Sequence, residues 1–129
     1  MHDIISIGDS TLDVFLEIDE ANVHCDLDKS RCFLCLNYAD KIPVSHLDHS
    51  LGGNASNLAV GSSRLGLKSA IYTVIGNDET GQRISEHYKE EKVGMDYIKI
   101  LKKETSNYSV VLNFHSERTI LAYHGKRTY

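Results

Sequence analysis

The second half of the chain alternates strand-like and helix-like segments, and this alternation is the feature that most constrains its fold. Residues 55–65 carry apolar and small side chains at three- and four-residue intervals, which predicts an amphipathic helix ended by Gly66. The β-branched run 70–75 predicts a buried strand, and a second helix over about 78–92 and a strand over 97–101 follow. Strands joined through helices pair in parallel by right-handed crossovers, so we predict an α/β fold.

The first half has the pattern of strands rather than of helices. The run Ile4–Ile7 ends at Gly8, as a buried strand does at the carboxyl end of a sheet. Residues 14–18 alternate apolar and polar side chains, which predicts a half-exposed antiparallel strand. Further short strands are expected over 32–38, 41–44, 109–114 and 119–123, with a loop over 22–31. These strands must lie outside the parallel sheet, so we expect a separate β layer over about 14–47 and 109–123.

Composition excludes several classes of function. The 129 residues include 14 Lys+Arg and 18 Asp+Glu, for a net charge of −4, and no basic stripe that would bind nucleic acid. No apolar run approaches the roughly 20 residues of a membrane span. The N-terminus has Asp3 where a secretory signal has basic residues, so we expect a cytoplasmic protein.

The three cysteines, Cys25, Cys32 and Cys35, predict free thiols that pack as small apolar side chains. An odd number cannot pair completely, and a cytoplasmic chain rarely keeps disulfides. A zinc or redox site is the alternative, because three histidines lie nearby in the sequence. A strand over 32–38 would put Cys32 and Cys35 on opposite faces, which argues against a shared metal.

Two glycines lead directly into the first predicted helix, at Gly52 and Gly53. Such glycines let the backbone approach a ligand closely, and the first free N–H groups of the helix then point at it. Asn54 and Asn57 lie three residues apart, so both amides can serve hydroxyl groups near the opening turn. The alternative is a plain loop in which Asn54 caps the helix.

Asp13 is the second candidate binding residue. It follows the strand end at Gly8, the edge at which open α/β sheets bind ligands. A carboxylate there can accept hydrogen bonds from two neighbouring hydroxyls. The alternative is a solvated acid on a strand.

These segments together resemble the N-terminal signature of the ribokinase/PfkB family of carbohydrate and nucleoside kinases. The run Gly52-Gly53-x-Ala-x-Asn57-x-Ala is followed at the family's spacing by Gly66 and by Gly76. Supporting pieces, in the family's order, are residues 8–13, 64–66, 75–81 and the strand 118–121 followed by Tyr123 and Gly125. The resemblance covers essentially the whole chain.

The resemblance implies a three-layer α/β/α sandwich with a small β-sheet lid, of which residues 1–129 would form the N-terminal part. It implies that Asp13, Gly53 and Asn57 bind sugar hydroxyls, with Asn54 beside them. Ribokinases proper have a lysine at the position of Asn54, so ribose is not implied as the substrate. The family's cofactors are ATP and Mg²⁺.

The family's Gly-Ala-Gly-Asp segment, which supplies the catalytic base and the anion hole, has no counterpart in this sequence. We therefore expect no catalytic residue in this chain, and we expect the chain alone to be inactive. Its predicted function is the sugar-binding and lid portion of an ATP-dependent carbohydrate or nucleoside kinase. The alternatives are a stand-alone binding module or one half of a split kinase, and the lid strands are a possible homodimer surface, as in the family.

Overall fold

The computed structural model describes residues 1–129 and contains nine strands and two helices. Neither helix is long and apolar enough to cross a membrane. In chain order the elements are β1 (Ile4–Ile7), β2 (Thr11–Ile18), β3 (Asn22–Cys25), β4 (Cys32–Cys35), β5 (Val44–Gly52), α1 (Asn54–Arg64), β6 (Ser69–Gly76), α2 (Glu79–Glu90), β7 (Gly94–Leu101), β8 (Asn107–Phe114) and β9 (Glu117–Tyr123).

The central sheet has the order β1-β6-β7, and all its strands are parallel, as the alternation of strands and helices predicts. Strand β6 lies in the middle, where Ile71 and Ile75 belong to one buried cluster with Ala59 of α1 and Ile84 of α2. Because side chains alternate along a strand, Ile71 and Ile75 share one face of the sheet. Both helices therefore cover that face.

Helix α1 presents a narrower buried face than its sequence predicts. Its buried positions carry small side chains such as Ala59, whereas Leu58 and Leu65 are 53% and 84% exposed. Small residues let the helix approach the sheet closely, and Leu58 and Leu65 lie at the edge of the buried face that these small residues form. The helix ends at Arg64, and Gly66 takes a φ of 90°, the left-handed conformation expected of a glycine at a helix C-terminus.

A second sheet lies apart from the first, as the alternating strands predict, and has the order β5-β2-β8-β9. We call it the lid sheet. Strand β2 pairs antiparallel with β5 and parallel with β8, and β8 and β9 form the predicted hairpin. The β2–β8 pairing joins residues that are 96 apart in the sequence, and it places Asp13 opposite Ser109.

The prediction of three free thiols is wrong. Strands β3 and β4 form an antiparallel hairpin in which Cys25 lies directly opposite Cys32, and these two residues form a disulfide. Only Cys35 is free, and it is exposed. The segment 22–31 was expected to be a loop, so the pairing that brings the two sulfurs together was not apparent from the sequence.

The expected strand over 41–44 is wrong except at Val44, where β5 begins, and β5 then continues to Gly52. Seven of its nine residues are exposed, and it forms one edge of the lid sheet. A strand exposed on both faces needs no alternation of apolar and polar residues, which is the signal that predicts strands. Pro43 immediately precedes it, consistent with the expected place of a proline at a strand end.

Candidate functional site

A cleft of about 450 Å³ lies at the carboxyl end of β1, between the start of α1 and the lid sheet. Ligands bind at this edge in open α/β sheets. The lining combines the β1–β2 connection, the first residues of α1 and side chains of β2, β8 and β9. Its members are Ile7, Gly8, Asp9, Thr11, Asp13, Gly53, Asn54, Ala55, Ser109, Ile120, Ala122 and His124.

Asp13 projects from β2 into this cleft, where its carboxylate lies against the backbone of Gly52. A Cβ atom at Gly52 would lie 2.6 Å from the Asp13 carboxyl carbon, so only glycine leaves room for the acid in this orientation. Partial burial raises the pKa of Asp13, while a hydrogen bond with Ser109 and the charge of His124 act to lower it. The result is a partly desolvated carboxylate with unused acceptor capacity facing the cleft.

The N-terminus of α1 forms the opposite wall. Gly53 is the N-cap residue, with a φ of 96° and no side-chain capping hydrogen bond, so the alternative in which Asn54 caps the helix is wrong. A Cβ at Gly53 would lie 2.9 Å from the carbonyl carbon of Asp9, a second reason for glycine there. The first N–H groups of α1 therefore remain available to a ligand. Asn54 lines the cleft, whereas Asn57 is exposed one turn further on and outside the lining.

Asp9 forms the floor of the cleft, where the lid sheet meets the central sheet. Its Oδ1 accepts hydrogen bonds from Asn107 Nδ2, at 3.4 Å, and from the hydroxyl of Tyr129. Burial and this contact with Asp9 raise the pKa of Tyr129 to about 12. The other oxygen, Oδ2, lies 4.0 Å from His124 Nδ1. Asn107 also accepts a hydrogen bond from Gly125 N, at 3.1 Å, which fixes the chain just beyond His124.

A buried network of hydroxyl groups supports the floor from below. The Tyr88 hydroxyl of α2 lies 2.6 Å from Ser10 Oγ and 2.5 Å from Ser56 Oγ of α1. Ser10 also donates to Thr73 Oγ1 at 2.9 Å, and Ser56 donates to the Asp9 carbonyl at 3.3 Å. Burial raises the pKa of Tyr88, which keeps the phenol protonated as a donor. Both helices and β6 thus hold the Asp9–Ser10 connection in place.

The structure brings three of the four predicted site residues, Asp13, Gly53 and Asn54, to one cleft. Sequence reasoning did not assign Asp9, Ser109 or His124 to the site. Asp9 directly follows a strand end, so the same argument could have assigned it. Ser109 and His124 reach the site through the non-local pairing of β2 with β8 and through the β8–β9 hairpin. No group of three or more His, Cys, Asp or Glu side chains is arranged to hold a metal ion.

Comparison with known proteins gives a consistent result. Residues 15–129 match the pfkB family of carbohydrate kinases. Fructosamine kinase FrlD of Bacillus subtilis is 37% identical over 67 residues, which are 52% of this chain and 24% of that protein. A 5-dehydro-2-deoxygluconokinase of Bacillus thuringiensis is 36% identical over 50 residues, 39% of this chain and 15% of that protein.

The structural comparison covers more of the chain. An uncharacterized sugar kinase from Pyrococcus horikoshii, solved in complex with ATP, aligns with a TM-score of 0.67 and 27% identity over 92% of this chain and 33% of that one. The chain thus spans between about a seventh and a third of the lengths of these three proteins. The family match covers nearly all of the residues, and the α/β fold with its lid sheet is that of the ribokinase-like sugar kinases. This chain therefore belongs to the pfkB family of carbohydrate kinases.

Proposed function

We propose that this chain is the acceptor-binding and lid portion of an ATP-dependent carbohydrate or nucleoside kinase. The observation that carries the proposal is the cleft in which the Asp13 carboxylate faces the N-terminus of α1. Asp13 accepts hydrogen bonds from neighbouring hydroxyls, while the amides at Gly53 and Asn54 donate to hydroxyl oxygens. Asn57 joins them once a ligand extends along the helix.

The lid sheet has a definite part in this function. Its strands β2, β8 and β9 supply the polar wall at Asp13 and Ser109 and the apolar wall at Ile120 and Ala122. A sugar has polar edges and apolar ring faces, so a cleft with both kinds of wall suits it. Closing this cleft over the sugar excludes water, which keeps ATP from being hydrolysed in a complete kinase.

The residues that line this cleft do not fit ATP or Mg²⁺. The cleft has no lysine or arginine in its lining, and no acidic cluster is arranged for a metal ion. Phosphoryl transfer needs positioned phosphates, neutralising charge and a group that accepts the hydroxyl proton. We therefore propose that residues outside these 129 supply the nucleotide site and the catalytic base.

Calorimetric titration with a panel of sugars and nucleosides tests the proposal, together with a coupled assay of ATP consumption. We expect saturable binding without turnover, and Asp13→Ala should weaken binding at least about 10-fold, since hydrogen bonds to a charged group are lost. Asp19→Ala, an exposed acid outside the cleft, is the matched control. Turnover by this chain, or equal binding by the Asp13 variant, would contradict the proposal.

A second candidate function is a stand-alone binding module or one half of a split kinase. It is favoured by β9, an edge strand whose residues are all exposed, among them Ile120, Leu121 and Tyr123. An open edge strand is a template for pairing, either with a second copy of the lid sheet or with another chain. Sedimentation equilibrium tests self-association, and a purely monomeric chain at about 100 μM would argue against pairing through the lid.

A further inference from the structure

The charges that line the cleft favour one class of acceptor sugar. The lining contains two acids, Asp9 and Asp13, one histidine, His124, and neither lysine nor arginine. Arg127 lies outside the lining: its buried guanidinium donates to the Thr105 carbonyl, its Nη1 lies 3.8 Å from Glu104 Oε2, and its charge also acts on Tyr129. Within the lining, no full positive charge other than a protonated His124 therefore faces the two carboxylates.

The helix N-terminus does not reverse this balance. The first N–H groups of α1 supply a partial charge of roughly +0.5, and its influence falls off within the first turn. Two carboxylates outweigh it, and both are partly withdrawn from water, which strengthens their field in the cleft. A ligand carboxylate or phosphate would be repelled here, and a ligand ammonium would be attracted.

We propose that this cleft selects acceptor sugars that carry a protonated amine over those that carry a carboxylate or phosphate, with Asp9 as the counter-ion of the amine. Asp9 suits this role because it lines the cleft with a side chain that is 44% exposed. Its Oδ1 is held by Asn107 and Tyr129, whereas Oδ2 has only His124 near it, at 4.0 Å. Asp13 is then left to accept hydroxyl groups. The inference rests on the proposed function, because it names the substrate class of the same site.

Matched ligands test the charge preference directly. Fructose and 1-amino-1-deoxyfructose differ by a hydroxyl and an ammonium group, and fructose 6-phosphate and gluconate supply the anions. Calorimetry at pH 7 should show the amino sugar binding at least about 10-fold more tightly than fructose, and the anions more weakly than fructose. The preference should shrink as salt is raised, because counter-ions screen partly exposed carboxylates.

Substitutions of Asp9 test whether this residue causes the preference for the amino sugar. Asp9→Asn should lower the ratio of amino-sugar to fructose affinity at least about 5-fold, and Asp9→Glu, which keeps the charge, should restore part of it. Glu20→Gln removes an equal charge at an exposed turn outside the lining and should leave the ratio unchanged. Circular dichroism of each variant establishes that it is folded.

The outcomes separate this inference from the proposed function. Equal affinities for fructose and its amino derivative, or tighter binding of an anion, would overturn the inference while leaving acceptor binding intact. An amine preference that persists in Asp9→Asn would overturn the role of Asp9. Binding of none of the sugars would contradict the proposed function and this inference with it.

Discussion

The binding role proposed for Asp13 is accompanied by a cost to stability. Burial raises its pKa, so the folded state holds the proton more tightly than the unfolded state. The contribution of Asp13 to stability is therefore complete below its pKa in the unfolded state. It is lost as the pH rises through its pKa in the folded state. Asp13→Asn should accordingly raise the free energy of unfolding at pH 7, by less than about 1 kcal/mol because solvent screens the partly exposed side chain.

Urea denaturation at pH 7 and pH 4 checks this sign. The stability advantage of Asp13→Asn over the original protein should shrink at pH 4, where Asp13 takes up its proton. Sugar binding should be lost in the same variant. An advantage that grows as the pH falls would mean that the carboxylate stabilises the fold.

Gly52 keeps space for the Asp13 carboxylate, and this gives a second prediction at the residue scale. Gly52→Ala should turn the acid out of the cleft at a cost of about 1 kcal/mol, since a short side chain can change rotamer. Binding should then fall as it does in Asp13→Ala. Calorimetry of Gly52→Ala measures the loss, and unchanged binding would show that the acid keeps its position.

Gly61→Ala provides the control for that substitution. Gly61 lies inside α1, and nothing is within 4 Å of an added Cβ atom. Alanine there should stabilise the protein by up to about 1 kcal/mol through its helix propensity. Binding should be unaffected, so the pair separates loss of space in the site from a general effect of adding a methyl group.

Among the elements, α2 depends most on one side chain at its start. Asp78 is the N-cap, and its carboxylate accepts from Gly81 N at 2.9 Å and from Ser106 N and Oγ at 2.9 and 2.7 Å. It therefore ties the helix to the start of β8. Burial acts to raise the pKa of Asp78, but the hydrogen bonds from Ser106 and Gly81 outweigh it and the pKa is lowered.

Asp78→Ala should lower the free energy of unfolding at pH 7 by about 2 kcal/mol, the upper range for loss of a helix cap. The folded pKa lies below the unfolded value, so the stability from Asp78 is present above the unfolded pKa and is lost as pH falls through the folded one. The difference in the free energy of unfolding between Asp78→Ala and the original protein, measured by chemical denaturation, should thus narrow below about pH 4. A constant difference down to pH 2 would contradict the ionic origin of the effect.

How far the sequence predicts each element depends on how local its cause is. Helices α1 and α2 and strand β6 were predicted because their periodicity and end signals lie within the segment itself. Strand β4 lies within the strand expected over 32–38, but β3 and most of β5 were not predicted, because an exposed strand carries no apolar pattern and its existence depends on its partner. The Cys25–Cys32 disulfide was missed for the same reason.

At the scale of the whole molecule, the two helices cover the same face of the central sheet, and the opposite face is covered only in part, since Val74 on that face is 1% exposed. Both helices lie on the face of Ile71, whereas Ile5, Ile7 and Tyr97 are 45%, 71% and 43% exposed. Strands β1 and β7 are both edges with unpaired backbone groups. Such an arrangement suits association with further structure, and it predicts low stability for this chain alone.

Hydrogen exchange measures this directly. Amides of Tyr97–Ile100 in the edge strand β7 should exchange within minutes, and those of Ile71–Val74 in the central strand more slowly, because β6 is paired on both sides. Strong protection of both segments in the isolated chain would contradict the predicted weakness of the sheet.

The sequence by itself determined the α/β class, the helices, the glycines before α1 and the choice of Asp13 as a candidate binding residue. These depend on period, propensity and residue chemistry within short segments. Only the tertiary structure decided that Ser109 and His124 join Asp13 and that Asp9 forms an acidic floor. Those neighbours are set by the pairing of β2 with β8, whose paired residues are 96 apart in the sequence. Such a register follows from the packing of whole sheets, which no local pattern encodes.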